Sequence, residues 1–409
     1  MRSFSEKLDL YARLAIQVGA NLQTGQRLTI SAPLEAAEYV RRLVREGYAA
    51  GAYDVYVDWH DDAVAKVRLL QASEEALADV PAWLVERYET LMAQRACQIS
   101  IGIPTPDLLR DVPPARLAAS RRAQNLAMQR ANEERLAKTN WLLIAAAGPD
   151  WARKVYPDEP VEQAVEHLWD TVFELCRIDA SDPIAVWREH ALDLRRRADY
   201  LNGQRIRRLR YEGPGTDLEV ELPAAHVWET AEMVNEAGTR YVANIPTEEA
   251  FTAPRRDGVR GTVRATKPLN YGGVMIEGIR LELKDGEIVA YDADAGRESL
   301  AALIATDEGS RRLGEVALVS QDSPIARSGR LFYNTLYDEN ASCHLAIGAA
   351  IPSCIEGGRG MSAEEMLAAG GNRSIAHVDF MIGSDELSVT GEGPGGEAVP
   401  LLRRGRWAF

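Results

Sequence analysis

Apolar residues recur at helical spacing from the start of the chain. Phe4, Leu8, Tyr11, Ala15 and Val18 fall on one face of a 3.6-residue period. Gly25-Gln26 is a turn signal, and it leads into the apolar run Leu28-Thr29-Ile30. Pro33 opens a second helical pattern, with Ala36, Val40, Leu43, Val44 and Tyr48 on one face, and Gly51 ends it. Residues 53–57 read as a strand, 73–95 as helix, 97–103 as strand, 114–138 as helix and 141–147 as strand. Nearly continuous apolar strands between helices predict a mostly parallel sheet covered on both faces. Residues 1–150 are therefore expected to form a Rossmann-like or flavodoxin-like layer. Helical patterns at about 161–177 and 183–201 follow.

From Ile206 onward the texture changes. Short strands punctuated by glycine dominate: 207–212, 218–222, 273–283 and 287–291. Lys284-Asp285-Gly286 between two such runs is a strong hairpin signal. Helical patterns return at about 299–306, 341–350 and 363–369. This predicts an α/β N-terminal domain over residues 1–190 and a β-rich α+β domain over 191–409, with no internal repeat.

Composition narrows the class. The chain has 409 residues, 47 basic and 61 acidic, for a net charge of −14. An acidic balance argues against a nucleic-acid surface, which needs a basic stripe. No apolar run reaches the length of a membrane span. Glu6 and Asp9 interrupt the first apolar pattern, so no secretory leader is expected. Cys97, Cys176, Cys343 and Cys354 are far apart, as befits buried free thiols in a reducing cytoplasm.

Several chemistries are missing. There is no phosphate loop, no Gly-x-Gly-x-x-Gly after the N-terminal strands, no Gly-x-Ser-x-Gly elbow and no His-Glu-x-x-His. The glycine-rich Gly391–Gly396 stretch holds a carboxylate and a proline, and reads as a loop. The six histidines bound any imidazole chemistry, and four of them (His60, His167, His190 and His226) suggest no role.

What remains is a set of carboxylates and histidines in the last 160 or so residues. On a strand, His377 and Asp379 of His377-Val378-Asp379-Phe380 point the same way and can offer a nitrogen and an oxygen to a metal. An ion pair or a hydrogen-bonded core histidine would use the same residues. In Tyr337-Asp338-Glu339-Asn340-Ala341-Ser342-Cys343-His344, Asn340 is a plausible N-cap for a helix through Leu345 and Ile347. Glu339 and His344 then flank a loop-to-helix entry. A capped surface helix with solvated acids is the alternative. Glu315 opens the apolar run 313–319, and Glu248 and Glu249 sit between Pro246 and Pro254. Each fits surface acidity or a buried functional carboxylate. Together they match what a two-metal hydrolase requires: a bridging carboxylate, terminal carboxylates and imidazoles.

These segments, in this order, resemble the thermophilic aminopeptidase family of metallopeptidases, the aminopeptidase T and aminopeptidase S group. The resemblance rests on 246–254, 314–317, 334–344 and 377–383, with Gly25-Gln26-Arg27-Leu28 near the start. It implies a metal centre in the C-terminal domain with Glu249, Glu315, Glu339, His344, His377 and Asp379 as ligands, and Glu315 as the bridge. It also implies two divalent ions (Zn, Co, Mn or Mg), a homodimer, and removal of N-terminal residues from peptides with a free N-terminus. Nucleic acid and membrane are not expected partners. Glu248 is the nearest candidate in sequence for the proton-shuttling base, although adjacent residues on an extended segment face opposite ways. The chain departs from the family at Ile351, seven residues after His344, where a tyrosine is usual. Other readings of the same residues are a metal-dependent amidase or esterase on a small molecule, and a non-catalytic peptide-binding dimer.

Overall fold

The computed structural model describes residues 2–271 and 273–409. The chain folds into two compact units, Met1–Asp193 with Ala231–Thr247, and Leu194–Thr230 with Glu248–Phe409. Sequence texture places a single cut between 190 and 191. In the structure the segment Ala231–Thr247 belongs with the first unit instead. Its strand Asn244–Ile245 adds in parallel to Trp141–Ala145, covering an edge that would otherwise stay unpaired.

The first unit is built on a five-stranded parallel sheet. The strands lie in the order Asp54–His60, Arg27–Pro33, Cys97–Gly102, Trp141–Ala145, Asn244–Ile245. Placing the second strand outside the first is the flavodoxin-like order. The first helix, Phe4–Leu14, starts at a capping box in which Ser3 and Glu6 exchange hydrogen bonds. Its buried Tyr11 stacks on Tyr39 with ring centroids 5.0 Å apart, and the Tyr11 hydroxyl donates to the Ala145 carbonyl at 2.9 Å. The helical pattern over 73–95 resolves into two helices, Glu74–Ala78 and Ala82–Ala93. Pro81 lacks an N–H and disfavours helical geometry in the residue before it, so the helix restarts there.

The second unit holds two large antiparallel sheets and a two-stranded one, Leu269–Asn270 with Met275–Ile276. The larger has eight strands, in the order Glu287–Asp292, Arg280–Lys284, Val259–Arg264, Thr216–Glu221, Arg208–Gly213, Ser388–Glu392, Ala398–Arg403, Arg406–Trp407. The expected hairpin forms: Lys284 pairs with Glu287, and Asp285 and Gly286 take φ of 50° and 77°. Two consecutive positive φ values are what an Asp-Gly turn of this twist requires. The expected strand 273–283 breaks into Met275–Ile276 and Arg280–Lys284 around Gly278, which has φ of 61°.

The smaller sheet has four strands: Glu249–Thr252, Leu313–Val319, His344–Gly348 and His377–Met381. Here one expectation fails. Residues 341–350 are not helical. The helix lies earlier, at Thr335–Glu339, with Asn334 as its N-cap accepting from the Leu336 N–H at 3.1 Å. Asn340 ends that helix, and His344–Gly348 is a strand with every residue buried. A short apolar run buried on both faces has no period-2 signature, so pattern alone does not separate strand from helix.

One hydrophobic core joins the two sheets. Leu209, Tyr211, Leu218, Val220 and Val259 come from the larger sheet, and Val316, Leu318, Leu345, Ile347 and Phe380 from the smaller. Alternation along each strand of the smaller sheet then turns the intervening residues to its other face.

Candidate metal centre

That other face collects the polar residues. Cross-strand pairing sets Glu315 opposite Ala346, and Ala346 opposite Asp379. His344 lies opposite Ala317, His377 opposite Gly348, and Glu249 opposite Val319. Counting by twos along each strand puts Glu249, Glu315, His344, His377 and Asp379 on one face. Ala317, Ala346 and Gly348 lie between them, and their small size leaves room above the sheet. A register irregularity between Leu313 and Glu315 helps to aim the Glu315 carboxylate. Gly314 makes it possible, because a Cβ there would lie 2.1 Å from the Ala349 carbonyl oxygen.

The donor atoms form two groups that share Glu315. In one, His344 Nε2 lies 3.1 Å from Glu249 Oε2 and 3.5 Å from Glu315 Oε1. In the other, His377 Nε2 lies 3.5 Å from Glu315 Oε2 and 3.6 Å from Asp379 Oδ1. Within each group, ligand-type atoms lie within 4.8 Å of one another. Each Glu315 oxygen thus faces a different histidine.

The far side of each imidazole is bonded to backbone. His344 Nδ1 lies 3.0 Å from both the Glu339 and Ser342 carbonyls, and His377 Nδ1 lies 2.8 Å from the Ala349 carbonyl. A carbonyl only accepts, so each Nδ1 carries the proton. In the neutral ring Nε2 then presents a lone pair toward the carboxylates. This is why the 3.1 Å contact to Glu249 is not a hydrogen bond of the neutral ring. Glu249 Oε2, Glu315 Oε2 and Asp379 Oδ1 are buried without any hydrogen-bond partner among the described residues. Buried polar atoms are nearly always satisfied. Lone pairs aimed at lone pairs, with three orphaned carboxylate oxygens, fit divalent cations.

Electrostatics agree. Burial, with the Asp379 and Glu249 charges adding to it, pushes the Glu315 carboxyl upward from its ordinary value. Burial opposes protonation of His344, but the Glu249 and Glu315 carboxylates outweigh it and raise this imidazole well above its usual range. Burial likewise opposes a rise at His377, which Asp379 and Glu315 overcome. Without a cation, protons take the role of counter-charge, and a metal would displace them.

Glu339 stands apart from both groups, at the end of Thr335–Glu339. Its carboxyl is raised well above the ordinary value by burial and by the Asp379 and Glu249 charges, so it senses the cluster without belonging to its compact part. Glu248 is buried and also lies outside both groups. Asn340 connects the two segments: its Oδ1 accepts from the Glu248 N–H at 2.7 Å, and its Nδ2 donates to the Leu336 carbonyl at 2.9 Å and to Glu339 Oε1 at 3.4 Å. This clamp replaces the N-cap role that the sequence suggests for Asn340. Sequence reasoning assigns Asp338 no separate role. Its buried carboxylate accepts from the Phe332 and Asn334 N–H groups at 2.8 and 3.1 Å, bracing the turn before Glu339, and burial pushes its pKa up to about 6. The available signal is three consecutive polar residues inside a buried stretch. The His344 side chain is 1% exposed and the His377 side chain 31%, so the cluster meets solvent more at its His377 end. Ile351 packs against an apolar cluster that includes Phe251, Ala317 and Ile355.

Two imidazoles and several carboxylates on one buried sheet face are the donor set of a metal-dependent hydrolase. The profile of the thermophilic metalloprotease (M29) family matches residues 4–407, and the chain belongs to that family. It is 46% identical to "Aminopeptidase 2" of Geobacillus stearothermophilus over an alignment of 410 positions, covering 100% of this chain and 99% of that one. It is 44% identical to "Aminopeptidase AmpS" of Bacillus subtilis (strain 168), covering 100% of both chains. Among solved structures, wild-type AmpT from Thermus thermophilus superposes with a TM-score of 0.91 at 41% identity, again over 100% of both chains.

Proposed function

We propose that this metalloaminopeptidase holds two divalent cations above the four-stranded sheet. One would be held by Glu249, Glu315 and His344, the other by Glu315, His377 and Asp379, with Glu315 shared between them and Glu339 a further donor. The observation that carries this reading is the shared carboxylate, whose two oxygens face different histidines. A mixed imidazole and carboxylate set suits Zn, Co, Mn or Mg. Such a pair supplies Lewis acidity for the scissile carbonyl and makes a water nucleophilic near neutral pH.

The chain's own residues do the rest. The Nδ1 bonds of His344 and His377 lock both rings. Glu248, held through its backbone by Asn340, passes a proton toward the leaving amine. The more exposed His377 end admits the substrate, a peptide with a free N-terminus, and the reaction releases its first residue. The aminopeptidase names of the full-length relatives support this substrate class. The same resemblance implies a homodimer, and the four separate buried thiols suit a reducing, cytoplasmic setting. None of the helices among the described residues is long and apolar enough to cross a membrane.

Metal analysis of the dialysed protein, alongside hydrolysis of aminoacyl anilides, tests the proposal. The wild type should keep about two equivalents of metal, and Glu315→Ala should lose metal and roughly a hundredfold or more in turnover. Turnover untouched by Glu315→Ala removes the dinuclear centre. N-blocked peptides cleaved as fast as free ones remove the aminopeptidase specificity.

A further inference from the structure

A helix that covers a parallel sheet normally turns apolar residues inward. The helix Pro114–Lys138 packs on Glu74–Ala78 and Ala82–Ala93, burying Leu117 and Ala131, and presents a mixed face along part of its length. Gln124, Met128, Ala131 and Arg135 follow one another at helical spacing on one face, and line a cavity of about 510 Å³. The floor is equally mixed. Gln98 pairs with Trp141, and Ser100 with Leu143, on adjacent strands. Leu84, Tyr88 and Met92 of Ala82–Ala93 form the remaining wall. The volume falls in the range of small-molecule sites.

Arg135 is the one charge among the described lining residues. Its guanidinium carbon lies 4.4 Å from the Trp141 ring centroid. Among the described residues, no carboxylate and no hydrogen-bond acceptor takes its five N–H donors. The neighbouring Glu134 is engaged by Arg130 and Lys138. Burial pushes the guanidinium below its ordinary value, with only the Tyr241 and Tyr88 phenols acting the other way. A partly desolvated cation without a counter-charge is costly. Gln98 and Gln124 add amide groups beside it, while Leu84, Met128 and Leu143 offer apolar surface.

We propose that this cavity binds a small organic carboxylate. The planar guanidinium fork takes the carboxylate through paired hydrogen bonds. The ligand's apolar body lies between Leu143 and the Leu84 and Met128 side chains. The described lining has no acid to receive an ammonium, which favours a simple carboxylate over an amino acid.

Calorimetric titration of the metal-loaded protein with phenylbutyrate and octanoate tests this, with their uncharged amides as controls. Both acids should bind saturably and raise the melting temperature. The amides should bind roughly tenfold more weakly, as should the acids to Arg135→Gln. Met128→Trp keeps Arg135 but fills the cavity, and should lose binding as well, which covers the case of a poorly folded Arg135→Gln. Because carboxylates also ligate metals, Glu315→Ala is the site control, and binding should persist in it. No saturable binding of either acid at millimolar concentration overturns the proposal. So do equal affinities for acid and amide, undiminished binding to both cavity variants, or loss of binding in Glu315→Ala.

Discussion

At the scale of single residues, the candidate centre is marked by polar atoms that find no partner among the described residues. Three buried carboxylate oxygens accept no hydrogen bond from any described residue, and two imidazoles aim Nε2 at them. Glu339 separates two roles by measurement. As a ligand, its change in Glu339→Gln lowers metal content along with turnover. A variant that keeps its full metal complement while kcat falls would make Glu339 a proton carrier instead. Ile351 marks the other sensitive position. It sits among apolar side chains and presents no hydroxyl. If the family tyrosine donates to the developing oxyanion, Ile351→Tyr should raise kcat by about tenfold or more, with KM little changed, since one such donor is worth about 10²–10³ in rate. An unchanged kcat in the folded variant shows that the hydroxyl has no such role here. The donor types are legible in the sequence, because His377-Val378-Asp379 and the isolated Glu315 stand out against apolar neighbours. The orphaned lone pairs are not, since they depend on which backbone carbonyls the Nδ1 atoms meet.

At the scale of elements, strand alternation does the sorting. Val316, Leu318, Leu345 and Phe380 enter the core, and the residues between them build the site. The same logic misleads over 341–350, because His344–Gly348 is buried on both faces and its alternation is hidden. The helix is displaced to Thr335–Glu339, which places His344 on a strand beside Asp379's rather than on a helix. Gly314 shows how tightly the sheet is built. Gly314→Val would force a side chain against the Ala349 and Gly348 carbonyls. It should destabilise the fold by ~1–3 kcal/mol, read as a lower urea midpoint at unchanged m-value, and reduce metal affinity with it. Unaltered stability would show that the strand edge yields more easily than its geometry suggests.

At the scale of the whole molecule, the chain passes between its two units at three points, after Asp193, Thr230 and Thr247. The change of texture near residue 200 announces one boundary. The return of Ala231–Thr247 is invisible in the sequence, because two residues of added strand leave no pattern. Global stability should also respond to pH through His226. Burial lowers this imidazole from 6.5, while its Nδ1 donates to the Pro223 carbonyl at 2.8 Å. The unfolded chain therefore binds the proton more readily. This contribution is intact above the ordinary imidazole range and declines as pH falls below 6.5. Thermal melts from about pH 7 to about pH 5 should show a smaller loss in His226→Gln than in the wild type, and identical slopes would assign the acid sensitivity elsewhere. By itself, the sequence determined the alternation of strands and helices in the first half, the Asp-Gly hairpin and the kinds of donor available for chemistry. These are local properties, set by side-chain spacing and turn geometry. Only the tertiary structure decided that Glu249, Glu315, His344, His377 and Asp379, spread over some 130 positions of the chain, share one face. Convergence of that kind depends on antiparallel register between strands distant in sequence, and register is settled by packing of the opposite, apolar face.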